Sequence, residues 1–409
     1  MTTDSPTGAV QTGGTPAAGA AGSATGTSGL ANAADLCDGL VQDKLPHPMA
    51  PLAKPELLQT VTDPQFHTTI RRITNVGSGV IKPLYSPTQA WSADERYLLL
   101  YQVGHGHRLY DGKTYAFIRD LAISPADLEQ VYWDTTDPDI LYYVDGARLI
   151  RYHVATDRKE VYRRFDNCTG QVTADSHAWI SWDARYLGLQ CVDTGTSFIY
   201  RIDTGAVLGS TTATPDLGAP SIAPSGKLAR WGTNVVDDSM HVVGALDVDG
   251  AEHASLGRLT NGHDTYDAVQ FDAGPHGTPV GTLVVFDMTD GTSRVLVGPS
   301  TGYPYPPSGT HVSAEIYRNP GWVFVSVVGD MSGQGVLDQE LLLVNTNPGH
   351  TVVCRIGHHR SWGKEGPNDY WGEPHVTGSP TGTRAVFASD WGGGSTVDTY
   401  VVELPSYRP

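Results

Sequence analysis

The amino-acid sequence predicts an all-β protein, a seven-bladed β-propeller with four-stranded blades that follows a disordered N-terminal tether rich in Gly, Ala, Thr and Ser. Three observations predict this class. Glycine and proline occupy 47 and 27 of the 409 positions, which argues against long helical bundles. Only 17% of the residues are charged while 9% are aromatic, and aromatic residues favour strands. From about residue 70 onward, a pattern of paired apolar strands repeats along the chain.

The N-terminal segment is expected to be a flexible tether. Residues 1–35 are almost entirely small or polar, and between Val10 and Leu30 there is no bulky apolar side chain to anchor a core. We therefore predict a disordered tether and lead-in over residues 1–55 and a propeller over residues 56–409. Because such a tether commonly follows a removed signal or lipid-anchor segment, we expect a secreted, periplasmic or cell-surface protein.

The repeat has the period of propeller blades. Each copy contains an apolar strand, a small polar turn and further apolar strands. The equivalent turn positions are Ala93, Thr135, Asp183, Pro224, Asp272, Asn319 and Pro380. They lie 42, 48, 41, 48, 47 and 61 residues apart, which suits four-stranded blades with an insertion before the last. Two β-sandwich domains are the structural alternative, but sandwiches need no regular repeat of this length.

Two further elements are expected outside the repeats. Residues 68–73 precede the first copy and are predicted to supply an outer strand to the seventh blade, which would close the ring and protect both sheet edges. Residues 125–130, which follow a cap-like turn, are the one short helix that we predict.

Charge and cysteine content limit the functions to be considered. A formal net charge of −17 without a basic patch argues against nucleic-acid and anionic-membrane partners. There is no run of about 18 apolar residues, so we expect no transmembrane segment. The four cysteines form no CxxC pair, although Cys168 and Cys191 lie in neighbouring segments and one bridge between them is a hypothesis.

A propeller brings equivalent positions of different blades together. The innermost strand of each blade lines the central channel, so the residues just ahead of it surround one mouth of that channel. The residues at these positions are Tyr85, Gln89, Glu129, His177, Asp216, His263, Asp264, Asp267, His311, Tyr370, Glu373 and His375. The metal-capable group among them comprises His263, His311, Glu373 and His375, which suits Mn²⁺, Fe²⁺ or Zn²⁺.

Each candidate also has a structural interpretation. A single His in a β-rich protein is more often a hydrogen-bonded structural residue than a ligand, and Glu373 would then merely pair with an Arg. His359 is either an exposed loop residue or a substrate contact. His105 and His107 lie in a Gly-flanked loop beside Arg108, and for this loop metal binding, substrate contact and a purely structural role all remain open.

The residues that lead into the last three blades resemble a known family. His263 before the fifth blade, His311 before the sixth, and residues 373–375 and 379–384 before the seventh are similar to the corresponding parts of oligogalacturonate lyases and related seven-bladed propeller polysaccharide lyases. The resemblance implies a divalent metal, with Mn or Ca ahead of Zn or Fe, and an acidic oligo- or polysaccharide as the substrate.

The same resemblance implies roles for individual residues. His311 and His375 correspond to metal ligands, Glu373 stands where the family has another His, and Tyr370 takes the place of an amide ligand. The catalytic residues implied are His263 as the base and Arg230 as the charge-neutralising group. His177, which leads into the third blade, is a further catalytic candidate.

These observations lead to a hypothesis of metal-assisted β-elimination at a uronate within an acidic glycan, so we favour an enzyme, a carbon–oxygen lyase. The predicted substrate-binding residues are His105, His107, Arg108, Tyr85, Tyr370 and His359. The cations considered for a locally positive mouth are Arg71, Arg72, Lys82, Arg108 and Arg318. The alternatives are a non-catalytic propeller that binds glycan or protein, and a metal-dependent glycan hydrolase on the same fold.

Overall fold

Antiparallel sheets follow one another along the chain in the computed structural model, which describes residues 35–175, 178–250, 252–304 and 311–409. Within each sheet, strands that are consecutive in the sequence lie side by side, except where the last strand lies between the second and third strands of the chain. Within these ranges the strands form seven blades around a common centre, so the predicted all-β, seven-bladed propeller is confirmed.

The strands are short, from two to eight residues. The first two, β1 (Thr60–Thr62) and β2 (Thr69–Arg72), belong to the last blade. Blade 1 has β3 (Gly79–Lys82), β4 (Tyr97–Gln102), β5 (Gly106–Asp111) and β6 (Phe117–Asp120). Blade 2 has β7 (Val131–Trp133), β8 (Ile140–Val144), β9 (Arg148–His153) and β10 (Arg158–Arg164). Blade 3 has β11 (Val172–Thr173), β12 (Tyr186–Cys191), β13 (Thr196–Arg201) and β14 (Ala206–Thr212).

The later blades continue in the same order. Blade 4 has β15 (Ser221–Ile222), β16 (Leu228–Trp231), β17 (Asn234–Asp237) and β18 (Val242–Ala245). Blade 5 has β19 (His253–Arg258), β20 (Asp264–Val269), β21 (Leu283–Asp287) and β22 (Ser293–Val297). Blade 6 has β23 (His311–Ser313), β24 (Trp322–Val327), β25 (Glu340–Asn345) and β26 (Val353–His358). Blade 7 has β27 (Thr377–Gly378), β28 (Arg384–Ser389) and β29 (Thr396–Glu403).

Ring closure joins the two ends of the propeller. β2 pairs antiparallel with β29, where Ile70 lies opposite Val402, and β1 covers the outer side of β2. The start of β29 also pairs in parallel with β3, through which the chain enters blade 1. The outer strand predicted over residues 68–73 is therefore confirmed, and it covers an edge of blade 7 that would otherwise be open.

The lead-in before β1 is fastened to the propeller. Leu36 and Leu40 are buried in the apolar cluster between blades 6 and 7, which also contains Ile316 and Phe387. Val41 forms a β-bridge with Arg355 of β26. Thus the part of the lead-in that the structure describes packs on the propeller.

Two disulfides join all four cysteines. Cys168 pairs with Cys191 at a Cα–Cα distance of 5.4 Å, as hypothesised from their spacing, and Cys37 pairs with Cys354 at 5.8 Å. The second pair ties the lead-in to β26, 317 positions along the chain. Disulfides of this kind are typical of proteins that fold in an oxidising compartment.

The helix prediction for residues 125–130 is wrong. This segment forms bends and a turn because the Asp127 carboxylate accepts a hydrogen bond from the backbone N–H of Glu129 at 2.9 Å, which competes with helical pairing. The helical segments in the described ranges are four 3₁₀ turns, and none of them is long or apolar enough to cross a membrane. They are Val154–Thr156, Pro299–Thr301, Gly363–Glu365 and Asp369–Gly372.

Candidate active site

Three predicted metal ligands meet where blades 6 and 7 begin. The Glu373 Oε2 atom lies 3.5 Å from His311 Nε2 and 3.8 Å from His375 Nε2, and one ligand atom from each residue lies within 4.8 Å of the other two. All three side chains are buried. His311 is the first residue of β23, whereas Glu373 and His375 belong to the insertion ahead of β27.

The insertion holds its two ligands in defined positions. The 3₁₀ turn Asp369–Gly372 ends with a hydrogen bond from the Glu373 N–H to the Tyr370 carbonyl at 3.0 Å. His375 adopts a left-handed backbone conformation, with φ of 43°. For a residue other than Gly, such strain costs about 1–3 kcal/mol and is typical of functional sites.

The donor set fits a divalent metal. Two imidazoles and one carboxylate are ligands that Mn²⁺, Fe²⁺ and Zn²⁺ accept. His375 Nε2 is buried, faces the cluster and has no hydrogen-bond partner among the described residues. Burial, together with Lys82, His311 and His253, keeps the pKa of His375 well below its usual range, which favours the neutral imidazole that a metal requires.

Lys82 lies on the other side of His375. Its Nζ atom contacts His375 Nδ1 and lies 4.9 Å from the Tyr370 ring centroid and 5.4 Å from that of Trp371. Burial lowers the pKa of Lys82 to about 7, against the opposing effects of Glu129 and Glu373. From the sequence, Lys82 was only one of several cations considered for the mouth, and no motif indicated its contact with the histidine.

His253 joins this group, and sequence analysis missed it. It is the first residue of β19, the innermost strand of blade 5. Its ring stacks on that of His311 with centroids 4.3 Å apart, and Phe271 packs edge-on against it at 4.6 Å. His253 is half-buried, so it is open to solvent where His311 is not.

The structure does not bring His263 to the cluster. His263 lies in the turn between β19 and β20, at the far end of β19 from His253, about 17 Å away at roughly 3.4 Å per residue. There its Nδ1 atom lies 2.8 Å from Asp287 Oδ2 and 4.0 Å from Asp290 Oδ2, in a separate group. The repeat pattern placed the fifth copy one strand late, at β20 instead of β19.

Arg230 approaches the same region from β16. Its guanidinium lies 3.0 Å from Glu252 Oε1, and this oxygen also accepts a hydrogen bond from the Tyr266 hydroxyl at 2.6 Å. Burial opposes the charge of the guanidinium, but Tyr266, Asp175 and Glu252 raise the pKa of Arg230 overall. Since Glu252 precedes His253, this ion pair borders the half-buried imidazole.

Tyr85, a predicted substrate contact, faces the three histidines edge-on. The centroid of its ring lies 5.7 Å from that of His311, 5.8 Å from that of His375 and 6.2 Å from that of His253. Burial raises the pKa of Tyr85, and nearby carboxylates, of which Glu129 has the largest effect, raise it further. The phenol therefore stays protonated and can donate a hydrogen bond.

Of the other predicted site residues, His107 and Arg108 lie away from the ligand group, whereas Tyr370 lies beside it. His107 is buried, with Nε2 2.7 Å from the Leu128 carbonyl, so it supports the turn that carries Glu129. Arg108 pairs with Asp120 on the outer strand β6, at 3.0 Å. Tyr370 is half-buried with its ring 4.9 Å from that of His375, beside the ligand group.

Two of the histidines that were predicted to bind substrate differ in their exposure to solvent. His105 is exposed in the turn between β4 and β5. His359 is fully buried, and its two ring nitrogens contact the Val327 carbonyl and the Ser361 N–H, while burial lowers its pKa to about 3. The expectation of an exposed loop residue is therefore wrong for His359, because its imidazole is enclosed by the fold and held by these two backbone groups. His177 falls outside the described residues.

Solved structures of known function share this fold. An oligogalacturonate lyase in complex with manganese superposes with a TM-score of 0.60 at 15% identity, covering 85% of this chain and 96% of that one. An oligogalacturonate lyase from Vibrio parahaemolyticus gives 0.61 at 15% identity with the same coverage. This chain has the oligogalacturonate lyase fold. The resemblance drawn from the histidines is thus confirmed at the level of the fold.

The other comparisons do not extend this likeness beyond the fold. The WD40 domain of Pan2 from Neurospora crassa gives a TM-score of 0.48 at 13% identity, over 81% of this chain and 91% of that one, which is too low to carry an argument. No protein-family model matches the sequence, and no curated protein matches it. The site therefore has to be interpreted from its own geometry.

Proposed function

We propose that this chain is a lyase that cleaves a uronate-containing glycan by β-elimination, with a divalent metal held by His311, Glu373 and His375. The observation that carries the proposal is the position of the buried ligand group beside half-buried His253 and Arg230, in a fold shared with a manganese-bound oligogalacturonate lyase. A pair of nearby groups, one cationic and one able to accept a proton, is what this elimination requires.

The reaction removes a proton that lies alpha to a carboxylate. His253 takes the C5 proton, the C–H electrons form the C4–C5 double bond, and the C4–O bond breaks with its electrons on the departing sugar oxygen, which then takes up a proton. A bound divalent cation supplies Lewis-acid stabilisation of the negative charge that builds up on the uronate carboxylate. Arg230 adds positive charge at the same side, and Tyr85 donates a hydrogen bond to the substrate.

The base in this proposal is His253 and not His263. The family resemblance implies a base from the His that leads into the fifth blade, and in the structure β19 is the innermost strand of that blade. His253 is adjacent to both the ligand group and the Arg230–Glu252 pair, whereas His263 lies with Asp287 and Asp290.

A panel of uronate oligosaccharides tests the activity. The purified chain is incubated with each substrate with Mn²⁺ or Ca²⁺ supplied, and the absorbance of the conjugated double bond is followed. Unsaturated products are expected with at least one uronate glycan. Sugar release without this absorbance would instead identify a hydrolase, and an unchanged panel would leave only a binding propeller.

We also propose that the protein is exported. The support is the pairing of all four cysteines in disulfides. Thiol titration of the natural protein under denaturing conditions should find no free thiol, and four free thiols would overturn the proposal.

A further inference from the structure

Two of the proposed metal ligands stand at the end of a long connection. Residues 359–376, the insertion, join β26 to β27. Residues 365–371 of the insertion are exposed or half-buried, whereas residues 372–376, which include Glu373 and His375, are buried. Because the middle of the insertion has little core packing, its hydrogen bonds to neighbouring segments set the positions of the ligands.

The turn between β28 and β29, the blade 7 turn (residues 390–395), holds the start of the insertion. Asp390 begins this turn and is 2% exposed. Its Oδ1 atom accepts hydrogen bonds from the backbone N–H groups of Trp362, at 3.1 Å, and Gly393, at 3.0 Å. Removing this oxygen would leave two N–H groups without an acceptor, at a cost of about 1–3 kcal/mol each.

Ser361 carries this support to the residue before Glu373. Its side chain is fully buried. The hydroxyl donates a hydrogen bond to the Gly372 carbonyl and accepts one from the backbone N–H of Asp390 at 3.1 Å. The peptide group that leads into Glu373 is thus tied through one hydroxyl to the blade 7 turn.

Close packing keeps the blade 7 turn and the insertion together. The ring of Trp362 lies against Gly393, where a Cβ atom would come within 2.4 Å of the ring, so no larger side chain fits there. Asn368 donates a side-chain hydrogen bond to the Gly394 carbonyl at 2.7 Å. The two segments therefore touch at the residue before each 3₁₀ turn of the insertion.

His375 has a separate support. The backbone N–H of Ala388 in β28 donates a hydrogen bond to the Pro374 carbonyl at 2.7 Å, which extends the pairing of β27 with β28 towards this ligand. The contact is made by strand backbone and does not pass through Asp390. Within the insertion, Glu373 is therefore the ligand whose position depends on the side chains of Asp390 and Ser361.

We propose that Asp390 is a positioning residue for the metal centre, which acts through Ser361 to hold the Glu373 carboxylate in the ligand group. This inference rests on the proposed function, because the three ligands are those of that proposal. Side chains that orient metal ligands typically change metal affinity by about 10–100-fold when they are removed.

Titration calorimetry with Mn²⁺ tests this role. Asp390→Ala should weaken Mn²⁺ binding by about 10–100-fold relative to the wild type, and Ser361→Ala should weaken it in the same direction. Asp390→Asn keeps an oxygen that can accept both N–H bonds, so it should bind Mn²⁺ within about threefold of the wild type.

Asp134→Ala is the matched control. Asp134 is 7% exposed, and its Oδ1 atom accepts hydrogen bonds from the backbone N–H groups of Thr136 at 2.8 Å and Asp137 at 2.9 Å, in the turn after β7 of blade 2. Its loss should lower the melting temperature, as the loss of Asp390 does, but leave the Mn²⁺ affinity unchanged. Equal weakening of Mn²⁺ binding in both variants would reveal a general effect of stability and overturn the inference.

A double-mutant cycle identifies Glu373 as the residue through which Asp390 acts. In a Glu373→Ala background there is no carboxylate left to position, so adding Asp390→Ala should weaken Mn²⁺ binding by no more than about twofold. A further loss as large as that in the wild-type background would overturn the inference.

Failure of the inference and failure of the proposed function give different results. Wild-type Mn²⁺ affinity in Asp390→Ala overturns the inference, while the metal centre and the lyase reaction stand. If no uronate glycan is cleaved, the calorimetric cycle still decides the role of Asp390, because it needs no substrate. If the wild-type protein binds no Mn²⁺, the metal centre is refuted and the inference with it.

Discussion

The imidazole of His253 lies face to face with that of His311, with ring centroids 4.3 Å and ring planes 24° apart. The two residues begin the innermost strands of adjacent blades, so their positions are set by the packing of β19 against β23. One ring is half-buried and the other fully buried. This contact places a proton acceptor that solvent can reach directly beside the proposed metal ligands.

Replacing His253 should therefore stop the chemistry without unfolding the protein. We expect His253→Ala to lower kcat by about 10²–10⁴-fold, the usual contribution of a general base. His263→Ala should retain most of the activity and lose some stability, because it removes the partner of Asp287. Steady-state kinetics and thermal melts of both variants check this. Inactivity of a folded His263 variant beside an active His253 variant would refute the assignment.

Metal content should depend on the ligand group and not on other histidines. We expect the His311→Ala and His375→Ala variants to lose bound metal, because each keeps only two of the three ligands. The Glu373→Gln variant should bind the metal more weakly. His241→Ala, at a side chain that is 79% exposed, serves as the matched control. Elemental analysis and calorimetric titration with Mn²⁺ give the readout. Equal metal content in all four variants would rule out this site.

Sequence periodicity was enough to predict the blades and part of the site. The sixth and seventh copies were aligned correctly, which is why His311, Glu373 and His375 were predicted to meet. In the fifth blade, the innermost strand, residues 253–258, does not begin with an aromatic or apolar residue, and the pattern selected residues 266–271, which begin with Tyr266, instead. A shift of one strand reverses the chain direction and moves a site residue to the opposite face, so His263 was chosen in place of His253.

Lys82 could not have been found in this way. Its contact with His375 joins residues 293 positions apart, and neither lies in a motif that involves the other. The same holds for the Cys37–Cys354 pair, because the short lead-in shows no repeat that would place it on blade 6. Contacts between side chains so far apart in the sequence can be predicted only once the three-dimensional arrangement of the blades is known.

The two disulfides should contribute unequally to stability. In the chain-entropy account, a bridge that spans 317 positions raises the free energy of the unfolded chain by about 6 kcal/mol, and one that spans 23 positions raises it by about 3 kcal/mol. The paired variant Cys37→Ala/Cys354→Ala should therefore lower the free energy of unfolding more than Cys168→Ala/Cys191→Ala. Urea unfolding of both variants measures the difference. The reverse order would show that the lead-in adds little to the fold.

The buried carboxyl of Glu315 should make stability depend on pH. The Tyr132 hydroxyl donates a hydrogen bond to Glu315 Oε1 at 2.8 Å, yet both side chains are almost fully buried. Burial raises the pKa of Glu315 from 4.5 to about 8, against the opposing hydrogen bonds from Tyr132 and Trp182. The folded protein thus holds a proton that the unfolded chain releases between about pH 4.5 and 8.

Because the folded state binds the extra proton, the stability contributed by this group is present below about pH 4.5 and is lost as the pH rises towards 8. Glu315→Gln keeps a neutral side chain of the same shape at every pH. Its melting temperature should match that of the wild type near pH 5 and exceed it above pH 8. Exposed Glu56→Gln controls for the loss of one charge. A constant difference between wild type and Glu315→Gln from pH 5 to 9 would mean that the Glu315 carboxyl titrates normally in the fold.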